Sequence, residues 1–112
     1  MPRVPGYQDL NMLVYNITIK IEQSIASAWL KWQQEEHIPG IMASGCFTHH
    51  LFYRLTEPVE PGEITYVIQY FSSSKENYKR YIKDYAPALR QKAFERWGDQ
   101  FIAFRTVMEL VN

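Results

Sequence analysis

The three histidines of this sequence, His37, His49 and His50, are its side chains best suited to acid–base chemistry. His37 follows Gln33 by four residues and precedes Pro39 by two, at the predicted end of a helix. There the helix dipole would favour the protonated imidazole and raise its pKa. His37 could then act as a general acid or base, or hydrogen-bond a carbonyl or hydroxyl group of a ligand. The alternative is a histidine that only caps the last carbonyl groups of the helix.

The spacing of the possible metal ligands does not favour a metal site. His49 and His50 are adjacent on a predicted strand, so their side chains point to opposite faces of a sheet. The sequence contains no H-x-x-x-H or H-E-x-x-H motif. Its single cysteine, Cys46, excludes an internal disulfide and any zinc or iron–sulfur site with several cysteines. Because phosphate-loop and dinucleotide motifs are also absent, we expect no bound metal or cofactor.

Aromatic side chains form the second group of candidate site residues. The sequence has three Trp, eight Tyr and six Phe, or 15% aromatic residues. Phenol groups around one cavity could orient an aromatic or oxygenated ligand. Aromatic residues at strand and helix spacing could equally be core and interface residues without a ligand. The residues predicted to bind a ligand are Trp29, Trp32, His49, Tyr53, Tyr66, Tyr70, Tyr81 and Tyr85.

Length and charge narrow the classes of function. The 112 residues are enough for one domain with a core, since 46% of them are apolar. Twelve Lys and Arg balance twelve Asp and Glu, which argues against a strongly basic nucleic-acid-binding protein. No apolar run approaches the roughly 20 residues that span a bilayer. We therefore expect neither a nucleic acid nor a membrane as partner, and the lone cysteine favours the reducing cytoplasm.

Residues 1–11 are predicted to be a flexible extension, because their prolines and glycine do not favour a regular element. Met12 stands directly before the first predicted strand and could be an alternative start. The alternative is an ordered arm that packs through Tyr7 and Leu10. Residues 12–112 are predicted to form the single domain.

Hydrophobic periodicity predicts two helices between four strands. The first helix begins near Ser24 and stops near His37, since Pro39 disfavours helical geometry in the residue before it. The second helix begins at a capping box that starts at Ser73, and Pro87 kinks or divides it. Alternating apolar and polar residues predict the four strands, at residues 13–21, 47–55, 64–71 and 101–110.

The element order is β-α-β-β-α-β, which is typical of an α+β, ferredoxin-like fold. Four antiparallel strands would then carry both helices on one face of the sheet. A second copy of the chain would cover the other face, giving a homodimer. The apolar residues predicted for that open face are Val14, Phe52, Val67, Phe71 and Phe101 or Phe104. The alternative is a monomer, because polar residues predicted there tolerate water: Asn16, Thr18, Arg54, Gln69 and Arg105.

Two stretches of the sequence carry a family resemblance. One comprises Trp29-Leu30-Lys31-Trp32, Glu36-His37-Ile38-Pro39 and Gly45-Cys46-Phe47, and the other runs from Tyr85-Ala86-Pro87 through Trp97-Gly98-Asp99 to Thr106. Together they resemble a family of small bacterial proteins of unknown function, over residues 12–111. The layout is similar to the dimeric α/β-barrel superfamily, which includes cofactor-independent and haem-degrading monooxygenases, sugar mutarotases and muconolactone isomerases.

The resemblance implies a fold and a pocket between the sheet and its helices, and it brings no activity with it. In several members of the superfamily, a histidine near the end of the first helix contributes to this pocket, which would be His37 here. We therefore expect a homodimeric domain that binds a small molecule. One alternative is a cofactor-independent monooxygenase or isomerase that uses His37 as acid or base. Another is a structural dimerisation module.

Overall fold

The computed structural model describes residues 12–111, which form four strands and two helical segments in the order β-α-β-β-α-β. The predicted N-terminal extension lies outside the described residues. In the first helical segment a π turn, Gln33–His37, joins two α-helices, and in the second segment a π turn at Tyr81–Tyr85 does the same. The strands and helices are β1 (Leu13–Glu22), α1 (Ala26–Trp32), α2 (Ile38–Met42), β2 (His49–Arg54), β3 (Glu63–Ser72), α3 (Lys75–Arg80), α4 (Ala86–Trp97) and β4 (Phe101–Glu109).

The strands form one antiparallel sheet in the order β2-β3-β1-β4, with β1 and β3 in the centre. Ile17 of β1 lies between Ile68 of β3 and Arg105 of β4. This order and the two helical segments confirm the predicted ferredoxin-like α+β fold.

Both helical segments cover the same face of the sheet. Trp29 of α1 stacks on Tyr66 of β3, with ring centroids 5.1 Å apart. Tyr81 of the second π turn contacts Tyr15 of β1, at 5.8 Å. Since Tyr15 and Tyr66 point to one side of the sheet and are both buried, the core lies between that side and the helices.

Phe52, predicted for the open face, lies on the helix-covered face instead, and of the alternatives Phe101 and Phe104 it is Phe104 that lies on the open face. Phe52 contacts Trp29 at 6.3 Å, and Phe101 packs against the core. The prediction for Phe52 was wrong because β2 begins at His49, so the alternation does not extend back to Phe47. The irregular backbone between them lets Phe47 enter the core while His49 points to the open face.

Arg54 and Arg105 are also on the helix-covered side, which corrects their predicted place on the open face. Arg105 pairs with Ile17 and Arg54 with Tyr66, and both of these partners are core residues. The error in β4 is one residue of register, which moves every side chain of a strand to the other face. The residues of the open face are Val14, Asn16, Thr18, Lys20, Glu22, His49, Leu51, Tyr53, Glu63, Thr65, Val67, Gln69, Phe71, Ile102, Phe104, Thr106 and Met108.

Neither proline ends its helix, contrary to the predicted stop at His37. The helical backbone continues through Pro39 to Met42, and a second run continues through Pro87. Proline lacks an N–H and its ring clashes with the carbonyl group four residues earlier. A π turn before each proline widens the helix at that carbonyl group. In the first π turn, the backbone N–H of Ile38 donates a hydrogen bond to the carbonyl oxygen of Gln33, five residues earlier.

The start of the second helical segment is shifted by one residue from its predicted cap. Ser74, rather than Ser73, is the N-cap, and its hydroxyl oxygen accepts a hydrogen bond of 3.1 Å from the backbone N–H of Asn77. At the start of the first segment, Ser24 lies inside a short 3-10 turn and makes no side-chain cap.

Candidate functional site

A cavity of about 30 Å³ lies between the sheet and the helical segments. Apolar residues of β1, β3 and β4 form its floor, and α1, the first π turn and α4 form its walls. The volume is enough for about two water molecules. Eight polar or amphipathic side chains line it: Trp29, Trp32, Gln33, His37, Tyr70, Arg90, Trp97 and Arg105.

Three residues that line this cavity each carry a buried polar atom without a hydrogen-bond partner within the described chain. They are Oε1 of Gln33, the hydroxyl oxygen of Tyr70 and Nε1 of Trp97. The residues are 3%, 0% and 5% exposed. A buried polar group without a partner costs about 1–3 kcal/mol. All three residues line one cavity, where a polar occupant could complete their hydrogen bonding.

His37 forms part of the cavity wall and stacks on Trp32, with ring centroids 4.5 Å apart and an angle of 19° between the rings. Burial of the imidazole, followed by the positive charge of Arg105, lowers the pKa of His37 to about 4. The predicted rise in pKa was wrong because the helix continues past His37, so no helix end lies beside the ring. Near neutral pH the imidazole is uncharged, and it can accept a proton or a hydrogen bond.

Two guanidinium groups give the cavity a positive wall. Arg90 of α4 donates a hydrogen bond of 2.9 Å from Nη2 to the hydroxyl oxygen of Tyr15, which fixes its position. Arg105 of β4 lies close enough to His37 to affect its pKa. No Asp or Glu is among the residues that line the cavity.

A larger groove of about 580 Å³ lies on the outer side of the same wall. It runs between the first helical segment and α4, and its rim carries both acidic and basic side chains. Trp32 and His37 line both spaces, so their stacked rings separate the cavity from the groove.

The two tyrosines of the predicted site that are most deeply buried remain protonated phenols. Burial, followed by neighbouring tyrosines, raises the pKa of Tyr70 and of Tyr81 above the ordinary value. Tyr70 lines the cavity, whereas Tyr81 packs against Phe47, at 4.9 Å between ring centroids. The Tyr70 hydroxyl group is without a partner and could donate a hydrogen bond, and Tyr81 belongs to the adjoining core.

The structure brings together only part of the predicted site. Trp29, Trp32, His37 and Tyr70 line the cavity. Three predicted residues are elsewhere on the helix-covered side: Tyr66 and Tyr81 in the core, and Tyr85 exposed on the second helical segment. The other two, His49 and Tyr53, point to the open face of the sheet.

Sequence reasoning did not name Gln33, Arg90 and Trp97 as site residues, and it placed Arg105, which also lines the cavity, on the open face. Gln33 carried a usable signal, since Trp29, Gln33 and His37 are spaced by four and share one side of a helix. A polar amide within an apolar stripe is an informative exception.

Two further observations bear on the class of site. Within residues 12–111, no three His, Cys, Asp or Glu side chains are grouped so that they could hold a metal ion. Over that same stretch, no helix is both long enough and apolar enough to cross a membrane.

Comparison with solved structures shows the fold at low sequence identity. SnoaB, a cofactor-independent oxygenase from Streptomyces nogalater, superposes with a TM-score of 0.63 at 9% identity over 91% of this chain and 95% of its own. An ethyl tert-butyl ether d (ethd) family protein from Bacillus halodurans gives 0.68 at 13% identity, over 88% and 99%. A conserved protein from Methanosarcina mazei gives 0.67 at 8% identity, over 92% and 96%.

These likenesses extend to the architecture and not to an activity. No curated protein matches the sequence. One family model does match, over residues 12–111. The chain therefore belongs to the family described as a domain of unknown function, DUF4286.

Proposed function

We propose that this chain is a homodimeric domain that binds a small molecule in the cavity between sheet and helices. The observation that carries the proposal is the convergence of three unpartnered polar atoms, from Gln33, Tyr70 and Trp97, on one cavity. A folded chain seldom leaves several such groups together without an occupant. The mixture of apolar floor and few polar groups is typical of small-molecule sites.

Native mass spectrometry of the protein as purified tests this proposal, with two matched variants on β3. Tyr70→Phe removes the unpartnered hydroxyl group of a residue that lines the cavity, and Tyr66→Phe removes the hydroxyl group of a residue that does not. We expect a reproducible small-molecule adduct on the wild type and on Tyr66→Phe, and a reduced one on Tyr70→Phe. Screening a fragment set by ligand-observed NMR covers a ligand lost in purification. If neither method detects a bound molecule, the proposal is wrong.

The open face of the sheet supports the homodimer. Five large apolar residues on it are between 42% and 55% exposed: Leu51, Tyr53, Ile102, Phe104 and Met108. The centre of this face is polar but uncharged, and Gln69 donates a hydrogen bond of 3.3 Å to Asn16 Oδ1 there. A face with an uncharged polar centre and apolar flanks can pack against a second copy of itself around a two-fold axis. The charged residues of this face, Lys20, Glu22 and Glu63, lie towards one end of the strands.

Size-exclusion chromatography with light scattering tests the dimer. Phe104→Lys places a charge on the open face, and Phe94→Lys places the same charge on an exposed site of α4; the two phenylalanines are 53% and 60% exposed. We expect a dimer for the wild type and for Phe94→Lys, and a monomer for Phe104→Lys. A monomeric wild type contradicts the proposal. A dimer with no detectable ligand would leave the structural dimerisation module as the function.

A second candidate function is proton-transfer catalysis of the isomerase or cofactor-independent oxygenase type. The observation that favours it is the neutral imidazole of His37 in the cavity wall, next to the positive Arg105. His37 could take a proton from a C–H group beside a carbonyl, and Arg105 would stabilise the enolate oxygen that forms. The likeness of fold to SnoaB, a cofactor-independent oxygenase, is consistent with this chemistry.

Deuterium exchange of an aromatic cyclic ketone, 2-tetralone, tests this candidate. We expect the wild type to accelerate exchange of the hydrogens beside the carbonyl, as followed by NMR, and His37→Gln to lose the acceleration. Circular dichroism and thermal unfolding confirm that the variant is folded. An equal rate with both proteins excludes His37 as the base.

A further inference from the structure

The charge of the cavity wall narrows the chemistry of the ligand. Arg90 and Arg105 both line the cavity, and no carboxylate does. Neither guanidinium forms a salt bridge with any Asp or Glu of residues 12–111. By contrast, Lys20 and Lys75, on other parts of the surface, are each within 3.5 Å of a glutamate oxygen. The wall therefore has a positive charge that the described chain does not balance.

The hydrogen-bonding groups of the wall are mainly donors. The indole of Trp97 can only donate, and its Nε1 has no partner. Tyr70 is a protonated phenol with a free hydroxyl group. Gln33 presents an amide, which offers either its oxygen or its NH2 group to the cavity, depending on the orientation of the amide plane. Two donors and a guanidinium around one space match an oxyanion, which accepts several hydrogen bonds at once.

The size of the cavity limits the group that enters it. A volume of about 30 Å³ admits a group of roughly the size of two water molecules. A carboxylate or another compact oxyanion has about this size. A drug-sized ligand fills several hundred Å³, so the remainder of any larger molecule must extend outside the cavity. Arg90 and Arg105 are exposed residues, so the cavity wall that they form borders the surface, where the remainder of a ligand would extend.

We propose that the ligand carries a compact oxyanion, either free or as the head group of an organic acid, and that Arg105 binds it together with Tyr70 and Trp97. This inference rests on the proposed function, since it names the chemical class of the ligand for the same cavity. Arg90 contributes positive charge at the wall while its hydrogen bond to Tyr15 keeps it in place. Water alone would complete the hydrogen bonds of Tyr70 and Trp97 but would not balance the charge.

A pair of probes of nearly equal shape tests the charge requirement. Benzoate carries the oxyanion, and benzamide replaces it with a neutral amide. Formate and acetate represent a free oxyanion. Binding is measured by two-dimensional NMR titration of the wild type at about 0.15 M salt, where long-range attraction is screened. We expect benzoate to bind about tenfold or more tightly than benzamide.

Two arginine variants locate the binding group. Arg105→Gln removes a charge from the cavity wall, and Arg54→Gln removes the same charge from an exposed arginine of β2 that does not line the cavity. We expect Arg105→Gln to weaken benzoate about tenfold or more and to leave benzamide unchanged, while Arg54→Gln alters neither. Arg105→Lys should recover part of the affinity, since it restores the charge but not the planar fork.

The outcomes separate this inference from the proposed function. Equal affinities for benzoate and benzamide would overturn the oxyanion inference and leave a small-molecule site in place. Absence of binding by these probes and by the fragment set would overturn both. Equal losses in Arg105→Gln and Arg54→Gln would assign the effect to net charge and also overturn the role of Arg105. Formate or acetate binding as tightly as benzoate indicates a free oxyanion, and tighter benzoate binding indicates an organic acid.

Discussion

The two π turns of this protein have the same cause and different consequences. Each ends two residues before a proline, and each widens the helix where that proline would otherwise clash. In the first π turn, Gln33 and His37 line a cavity, and the Gln33 amide oxygen has no partner. In the second, Tyr81 fills the core between aromatic rings.

This difference shows which local feature indicates a site. π turns are frequent at functional sites. The second π turn, however, also closes with a hydrogen bond to the fifth residue back, and none of its residues lines the cavity. A proline follows both turns, so the proline does not distinguish them. The unpartnered amide of Gln33 and the neutral His37 distinguish the first one, so the candidate site is identified by incomplete hydrogen bonding rather than by helix geometry.

The largest effect that we expect from this comparison is a loss of stability at the second π turn. Tyr81 is 2% exposed and contacts Tyr15 and Phe47. Tyr81→Ala should lower the free energy of unfolding by about 3–5 kcal/mol, because it leaves a cavity in an aromatic cluster. Denaturant unfolding measures this loss. The control is Tyr85→Ala, at an exposed position of the same turn, which should cost less than about 1 kcal/mol. Similar losses for both variants would contradict the packing role.

The next effect belongs to the first π turn and depends on pH. The pKa of His37 is about 4 in the folded chain and about 6.5 when unfolded. As the pH falls from 6.5 towards 4, the unfolded chain takes up a proton that the folded chain excludes, so stability is lost across this window. His37→Gln should remove this loss, which is of the order of 2–3 kcal/mol.

Denaturant unfolding of both proteins at pH 7 and pH 4.5 measures this pH effect. The other titratable groups are common to both, so the difference between the two changes with pH isolates His37. We expect His37→Gln to lose less stability on acidification than the wild type. An identical loss in both would show that the imidazole of His37 is not kept neutral by the fold.

The fold could be predicted from sequence more completely than the site. The strands predicted at residues 13–21 and 64–71 from alternating apolar and polar residues were confirmed. Both lie in the centre of the sheet, where one face of each strand packs against the helices. The edge strands were harder, since apolar residues occupy both faces of β4, and an irregular pair of residues precedes β2. The misplaced Arg105 followed from that ambiguity. The residues with unpartnered atoms come from three segments that are distant in sequence. Spacing within one segment therefore could not predict that they line one cavity.

A smaller effect, of opposite sign to that of Tyr81→Ala, is expected at Gln33. Gln33→Met keeps the length of the side chain and removes the unpartnered amide. The free energy of unfolding of the ligand-free protein should rise by about 1 kcal/mol, because a buried polar group without a partner is destabilising. Thermal and denaturant unfolding measure the change. A loss above about 1 kcal/mol would mean that the amide has a partner in solution.

The smallest effects concern the prolines themselves. Pro39→Ala and Pro87→Ala should each lower the free energy of unfolding by about 0.4–1 kcal/mol, since alanine raises the entropy of the unfolded chain. Neither change should remove a π turn, because a return to regular α geometry would rotate every later residue of the helix and move Ile41 or Trp97 out of the core. Denaturant unfolding of both variants tests whether the two losses of stability are equal. A loss above 2 kcal/mol in only one of them would show that the proline, and not the packing beyond it, holds that π turn in place.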